Sequence, residues 1–274
     1  MNKQKVWFIT GASRGMGQEV VKEVLRKGDK VIAISRNMQH TNNGDTENLL
    51  SLQVDITNDE DVKNAVKKGV KYFGGIDVIL NNAGYYLAGS IEEINDEEFR
   101  RTMDINVFGM VNVIRHTMPF LRKQRSGHII NISSNMGYVG YANTGSYNAS
   151  KFAVIGLSEA LAQEVKVFGV NVTVVAPGMF RTDFMSEATL MAAENKIEDY
   201  YLDKHIDTLQ SFHGHQPGNP AKLAQILYNI STLSTPPLHL ILGKDSYESI
   251  IEHRKNETKE LEQWKHLSFS TDFK

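Results

Sequence analysis

Short apolar runs alternate with amphipathic stretches along most of the chain. The runs are continuously apolar, a pattern typical of strands that are buried on both faces of a sheet. We predict strands at 6–10, 30–35, 49–54, 77–80, 127–133, 171–176 and 238–242. The stretches between them carry apolar residues at helical spacing and predict helices at 17–27, 57–74, 95–124, 146–168, 220–231 and 245–264.

This alternation indicates an α/β fold, in which a Rossmann-type, doubly wound and mainly parallel sheet of about seven strands carries helices on both faces. Residues 1–274 are expected to form a single domain, because no repeat or boundary interrupts the pattern. A polar loop is predicted at 37–48. The mixed stretch at 182–216 is expected to form one or two mobile helices that act as a substrate lid. A C-terminal strand–helix extension is expected at 238–274.

Composition and charge remove several classes of function. The net charge is −2, which favours neither nucleic acid nor an anionic membrane as a partner. The absence of cysteine excludes disulfides and thiolate metal sites, and it is compatible with the cytoplasmic location that we expect. His213 and His215 lack an acidic or cysteine partner at a fitting spacing, so no metal site is predicted. No apolar run reaches the length of about 18 residues that a spanning helix needs.

A glycine-rich loop, TGASRGMG, follows the first predicted strand and leads into the first helix. Its glycines allow backbone N–H groups to approach a pyrophosphate at the helix N-terminus, where the helix dipole favours anions. We therefore expect a dinucleotide to contact Gly11, Ser13, Arg14, Gly15, Met16 and Gly17.

The end of the second strand indicates which dinucleotide binds. Many NAD-binding folds place an acid there for the ribose hydroxyls, whereas this chain has Ser35 followed by Arg36. Arg36 can form two hydrogen bonds with a 2′-phosphate, and Arg14 adds a second cation. NADP(H) is therefore expected in preference to NAD(H).

The candidate chemistry lies between residues 131 and 151. Tyr147 and Lys151 are four residues apart, so a helix places them on one face, one turn from each other. Ser134, at the end of a predicted strand, adds a hydroxyl donor. A carbonyl that accepts hydride needs hydrogen-bond donors at its oxygen and a final proton, which a tyrosine can supply. We expect the ammonium of Lys151 to lower the pKa of Tyr147.

Taken together, these motifs resemble the short-chain dehydrogenase/reductase family, in its subclass with a TGxxxGxG loop and a YxxxK active site. The resemblance covers about residues 5–182 and includes, in the family's order, TGASRGMG, NNAG, the Asn of DINVFG, ISS, YNASK and PG. The tail is loosely similar to a branch that contains 17β-hydroxysteroid-dehydrogenase-like proteins. The resemblance implies a catalytic tetrad of Asn106, Ser134, Tyr147 and Lys151. The further cofactor contacts that it implies are Ser35, Arg36, Asp55, Ile56, Asn82, Ala83, Gly84, Tyr147, Lys151, Pro177, Gly178 and Thr182.

Aromatic and methionine side chains beside the motifs predict a partly hydrophobic substrate pocket, formed by Tyr85, Met136, Tyr141, Met179 and Phe184. The expected function is that of an NADP(H)-dependent oxidoreductase, which interconverts a carbonyl and an alcohol on a small to medium substrate. Two alternatives remain open: a non-catalytic NADP(H)-binding regulatory protein, and a non-redox epimerase or dehydratase on the same fold. The resemblance also implies a homodimer or homotetramer.

Overall fold

Strands and helices alternate as predicted in the computed structural model, which describes residues 4–37, 46–187 and 189–273. The strands are β1 (Val6–Thr10), β2 (Lys30–Ser35), β3 (Leu49–Gln53), β4 (Val78–Asn81), β5 (Leu87–Ala88), β6 (Gly127–Ile132), β7 (Val170–Pro177), β8 (Met191–Ala192) and β9 (His239–Leu242). The α-helices are α1 (Gly15–Arg26), α2 (Asp59–Phe73), α3 (Asp96–Met103), α4 (Gly109–Gln124), α5 (Gly145–Val165), α6 (Leu202–Ser211), α7 (Pro220–Ser231) and α8 (Lys244–Phe269).

Seven of these strands form one parallel sheet in the order β3-β2-β1-β4-β6-β7-β9, which confirms the predicted fold class. Strand β1 pairs with β2 on one side and with β4 on the other, so the strand order reverses at β1. In open α/β sheets, ligands bind beside such a reversal, outside the carboxyl ends of the strands. The motifs that follow β1, β2, β4, β6 and β7 therefore all open onto one edge of the sheet.

Helices cover both faces of the sheet, as the packing around β1 shows. Phe8 packs with core side chains from α2 and α4, whereas Trp7 and Ile9 pack on the opposite face with residues of α1 and α7. All three side chains are fully buried. Burial of such a side chain contributes about 1.5–3 kcal/mol, which is why an apolar residue is needed at every position of the strand and not at alternate ones.

The helix predicted at 95–124 is interrupted by one wider turn. Helix α3 begins at Asp96 and is preceded by Asn95, whose side chain forms a capping box with Glu98. Residues Asp104–Phe108 then adopt a π-helical turn before α4 begins. Such turns are rare inside α-helices and are frequent at functional sites. This one contains Asn106, and the apolar periodicity of the sequence carries no signal for it.

The predicted lid is less helical than expected. It contains one α-helix, α6, together with short 3₁₀ turns at Asp183–Met185 and Glu198–Tyr200. Strand β8, which the sequence analysis missed, pairs in parallel with β5 to form a separate two-stranded sheet. Two residues in each strand are too few to produce a recognisable periodicity.

Buried and partly buried carboxylates attach this segment to the chain that follows β5. The Glu93 side chain accepts hydrogen bonds from the backbone N–H groups of Ser90 and Ile197, each at 2.9 Å. Glu98 accepts another from the N–H of Glu194 at 2.9 Å. Residues 194–197 are therefore held to the protein body by side chains that lie about a hundred residues earlier in the sequence.

Helix α8 ends at Phe269 and thus extends past the predicted end at 264. Lys265 forms an i,i+3 ion pair with Glu262 in the added turns, which supports an exposed helix. Most of the polar loop predicted at 37–48 lies outside the described residues. Within the parts that are described, no helix is both long and apolar enough to cross a membrane.

Candidate active site

Two adjoining cavities open at the carboxyl edge of the sheet. The first, which we call the glycine-loop groove, is lined by Gly11, Ser13, Arg14, Gly15, Met16, Ile34, Ser35, Arg36, Val54, Asp55, Ile56, Asn82, Ala83, Gly84, Tyr85, Ile105, Thr182, Asp183, Phe184 and Thr189. The second, which we call the Tyr147 cavity, has a volume of about 340 Å³ and contains Tyr147, Lys151, Ser133 and Ser134 in its wall. Both are lined by Met16, Asn82, Gly84, Thr182 and Phe184, so the groove continues into the cavity.

The glycine loop is held open by its own backbone and by the NNAG segment. Gly11 and Gly15 have φ values of +64° and +56°, in the left-handed region that favours glycine. The Thr10 hydroxyl accepts hydrogen bonds from the N–H groups of Asn82 and Ala83, at 3.0 and 3.1 Å. The Asn82 amide in turn donates to the carbonyl of Gly11 at 3.2 Å. The two segments therefore form one rigid wall of the groove.

Gly17 differs from the other loop residues because it lines neither cavity. A Cβ atom at this position would lie 2.2 Å from the carbonyl oxygen of Gly11. The structure thus places Gly17 where α1 packs closely against the loop. The other loop residues that we predicted all line the groove.

The residues of the groove fit a dinucleotide that carries an extra phosphate. The hydroxyls of Ser13 and Ser35 lie 2.8 Å apart across the groove. Arg14 and Arg36 are exposed beside them, and neither guanidinium forms an ion pair with any described residue. One cation in the glycine loop and one directly after β2, neither of them paired with a described carboxylate, match the recognition of a phosphate monoester.

Tyr147 lies in the first turns of α5 and is 6% exposed. Burial raises its pKa, and hydrogen bonding to the Ser134 side chain opposes that rise only in part. The net shift of the Tyr147 pKa is therefore a rise, and not the lowering that was predicted. The Lys151 ammonium donates to the carbonyl of Ile132 at 3.0 Å and lies 5.5 Å from the centroid of the Tyr147 ring.

Lys151 is itself buried, and burial lowers its pKa to about 8. Its ammonium lies close to Gly84. A Cβ atom on Gly84 would lie 3.0 Å from Oδ1 of Asn106 and 3.6 Å from Nζ of Lys151. Glycine at this position therefore allows Asn106 and Lys151 to approach the same point of the wall.

The Asn106 side chain fixes the NNAG segment to α5. Its Oδ1 accepts from the N–H of Tyr85, and its Nδ2 donates to the Tyr85 carbonyl and to the Ser150 hydroxyl, each at 3.0 Å. The π-helical turn aims this amide inward, and Asn106 is 3% exposed. The four tetrad residues thus come from a helix turn, a strand end and α5, and the fold gathers them around Gly84 and Tyr147.

The two serines after β6 have different partners. The Ser133 hydroxyl donates to the carbonyl of Lys151 at 2.9 Å and so fixes α5 against the strand. The Ser134 hydroxyl accepts from the N–H of Met136 at 3.2 Å, donates to Oδ1 of Asn135 at 3.0 Å, and interacts with the Tyr147 phenol, whose pKa this interaction lowers. Ser134 is therefore the serine whose hydroxyl lies beside the phenol.

Four of the five predicted substrate-pocket residues line the Tyr147 cavity: Met136, Tyr141, Met179 and Phe184. Tyr85 does not, because it faces the glycine-loop groove and its hydroxyl bonds with that of Thr102 at 3.2 Å. The neighbouring Tyr86 lines the cavity instead, and its ring centroid lies 4.9 Å from that of Tyr147. Adjacent residues of an extended segment point to opposite sides of the chain. Tyr85 therefore faces the glycine-loop groove, whereas Tyr86, one residue later, faces the Tyr147 cavity.

The sequence analysis missed other walls of the Tyr147 cavity. Leu209 reaches it from α6, and Asp245 and Ser249 reach it from α8. No motif surrounds these residues, and they follow Tyr147 by 62 to 102 positions (209 − 147 and 249 − 147). These residues reach the cavity only through the packing of α6 and α8 in the folded chain, which the sequence does not reveal.

Comparison with known proteins shows the family to which the chain is related. A family model described as short chain dehydrogenase matches residues 5–193. The chain is 36% identical over 241 residues to 3-ketodihydrosphingosine reductase of Bacteroides thetaiotaomicron, covering 87% of this chain and 88% of that protein.

Two solved structures have similar folds. A short-chain dehydrogenase from Streptomyces avermitilis superposes with a TM-score of 0.90 at 31% identity, covering 99% of this chain and 100% of the other. ElxO with NADP bound superposes with a TM-score of 0.71 at 28% identity, covering 88% of this chain and 96% of the other.

Proposed function

The chain belongs to the short-chain dehydrogenase/reductase family of oxidoreductases, and on that premise we propose that it is an NADP(H)-dependent enzyme that interconverts a carbonyl and an alcohol. One observation carries this proposal. The glycine-loop groove, which fits a dinucleotide, runs into a cavity whose wall presents Ser134, Tyr147 and Lys151 together. A bound dinucleotide and a bound carbonyl would therefore meet beside a proton donor.

The residues of the Tyr147 cavity have distinct chemical tasks. The nicotinamide, when bound, supplies or accepts the hydride. Ser134 donates a hydrogen bond that orients the substrate oxygen, and Tyr147 holds the proton that this oxygen receives. Burial keeps Tyr147 protonated at neutral pH, so it is poised as the acid in the direction of reduction. Lys151 places a cation near the phenol and stabilises it as the proton leaves.

The preference for NADP(H) rests on Arg14 and Arg36. Both guanidiniums border the groove without a described ionic partner, and a 2′-phosphate would satisfy both. ElxO, a structural neighbour at 28% identity, binds NADP, which supports the same choice. The substrate end is bordered mainly by aromatic, methionine and aliphatic side chains, which suits a partly hydrophobic carbonyl compound.

Fluorescence of NADPH tests the proposal directly. The purified chain is incubated with NADPH and a panel of ketones and aldehydes, with cofactor binding and cofactor consumption followed separately. We expect binding in every case and consumption with at least one hydrophobic carbonyl. Binding without consumption across the whole panel would favour a regulatory NADP(H)-binding protein. Turnover of a substrate without net change in NADPH would favour an epimerase or dehydratase.

A further inference from the structure

The Tyr147 cavity contains a charged side chain that the proposed reaction does not use. Asp245, in the first turn of α8, lines this cavity beside the loop after β7. Its Oδ2 accepts a hydrogen bond from the N–H of Met179 at 2.7 Å. The adjacent Lys244 pairs with Glu248 instead, and no cation in the described part of the chain pairs with Asp245. The carboxylate therefore retains acceptor capacity that the protein does not fill.

Two hydroxyls accompany this carboxylate. Ser249 lies one helical turn after Asp245 on α8, so both side chains are on the same face. The Ser249 hydroxyl lies 2.6 Å from the hydroxyl of Tyr141, which comes from the loop before α5. All three side chains line the Tyr147 cavity. They form a group that we call the Asp245 cluster, with three acceptor-bearing side chains and one negative charge.

The Tyr147 cavity carries two charges of opposite sign. Among its lining residues, Asp245 is the one acid and Lys151 the one base. Most of the remaining wall is apolar, from residues such as Met136, Phe180 and Leu209. Electrostatic interactions are stronger in such surroundings than in water. A cationic substituent in this cavity is therefore repelled by Lys151 and attracted by Asp245.

We propose that the substrate is an amino ketone or amino alcohol whose protonated primary amine binds to the Asp245 cluster. An ammonium group has three N–H donors and no acceptor, which matches the acceptors of Asp245, Ser249 and Tyr141. The opposed charges then orient the substrate, with its amine at α8 and its carbonyl at Tyr147. This inference rests on the proposed carbonyl–alcohol chemistry and adds to it the class of substrate.

The Asp245 carboxylate also anchors the loop after β7 through Met179, and a test must separate the two roles. Asp245→Asn does so, because an asparagine oxygen still accepts from the Met179 N–H while the negative charge is lost. Glu248→Gln is the matched control. It removes a carboxylate from the same helix, but from an exposed position outside the cavity.

The substrates for the test are ω-amino ketones with spacers of increasing length, each paired with a neutral ketone that carries a methyl group in place of the amine. The measured quantity is kcat/KM for NADPH-dependent reduction, expressed as the ratio of amino to neutral substrate. We expect the wild type to prefer the amine by about tenfold or more at the best spacer, in line with a hydrogen-bonded ion pair. Asp245→Asn should lower that ratio at least tenfold, and Glu248→Gln should leave it unchanged.

The outcomes separate this inference from the proposed function. Reduction of neutral ketones with no preference for the amine would overturn the inference and leave the function intact. An equal fall in kcat/KM for both members of each pair in Asp245→Asn would assign the residue to the loop or to the cofactor, and would also overturn it. Reduction of neither class by an enzyme that binds NADPH would contradict both.

Discussion

The glycine-loop groove and the Tyr147 cavity lie side by side but are assembled in different ways. The groove is lined mostly by residues that directly follow β1, β2, β3 and β4, and their positions are fixed by the order of parallel strands. The cavity combines the ends of β6 and β7 with side chains from α6 and α8, which reach it only through tertiary packing. Cofactor binding is therefore encoded locally, whereas substrate selection depends on parts of the chain far from any motif.

The largest expected effect is a loss of catalysis without a loss of cofactor binding in the glycine-loop groove. Tyr147→Phe removes the proton donor, and we expect kcat to fall by about 10²–10⁴-fold. NADPH affinity should change little, because the phenol lines the cavity and not the groove. Steady-state kinetics and fluorescence titration measure the two quantities. A fully active Phe variant would remove Tyr147 from the mechanism.

The next largest effect concerns the groove alone. Arg36→Ala should weaken NADPH binding by about 10- to 100-fold, the range for a lost hydrogen-bonded charge pair. NADH binding should be nearly unaffected, because NADH lacks the 2′-phosphate. Arg122→Ala, an exposed arginine on α4 outside both cavities, is the matched control. Equal loss of NADH and NADPH affinity would contradict the assigned role of Arg36.

The pH dependence of reduction tests the catalytic end of the cavity. Burial lowers the pKa of Lys151 to about 8, so its ammonium is present below that pH and is lost above it. We expect kcat/KM for reduction to be level near neutral pH and to fall as the pH rises through about 8. Lys151→Met should abolish this inflection together with most of the activity. A profile that is flat to pH 10 would show that the ammonium is not required.

The same residue gives a linked prediction for stability. An unfolded Lys151 holds its proton up to about 10.5, whereas the folded residue holds it only to about 8. Between these values the unfolded state binds more protons, so the contribution of this residue to stability improves as the pH rises. The free energy of unfolding of Lys151→Met should therefore exceed that of the wild type by the largest amount at or below pH 8. Urea titrations at pH 7 and pH 10 compare the two proteins.

The smallest expected effect tests the contacts of Glu93 that hold the segment before α6 to the protein body. Burial acts to raise the pKa of Glu93, but hydrogen bonds from the N–H groups of Ile197 and Ser90 outweigh it and leave the pKa lowered. Its stabilising contribution is thus present at neutral pH and is lost as the pH falls through that lowered pKa. Glu93→Gln should cost about 1–3 kcal/mol of stability and raise KM several-fold with kcat retained. Glu97→Gln, an exposed carboxylate on α3, should do neither.

Residues in motifs were predictable from the sequence, and residues that act through packing were not. Gly11 and Lys151 lie where their spacing from a strand and along a helix places them, whereas Asn106 was identified only through the family resemblance. Tyr85 and Tyr86 were exchanged because the sequence does not reveal which side of an extended segment faces the cavity. The raised pKa of Tyr147 was missed because burial depends on neighbours such as Tyr86 and Phe184, which only the folded chain supplies.

The transfer of deuterium from the cofactor to the substrate tests the central claim most directly. NADPH labelled with deuterium at C4 of the nicotinamide, on each face in turn, is incubated with the enzyme and a ketone that it consumes. We predict that one of the two labels appears at the carbinol carbon of the alcohol product, and that Tyr147→Phe slows its appearance by about 10²–10⁴-fold while still binding the cofactor. An alcohol product without deuterium from either label, or equal transfer by Tyr147→Phe, would contradict the account.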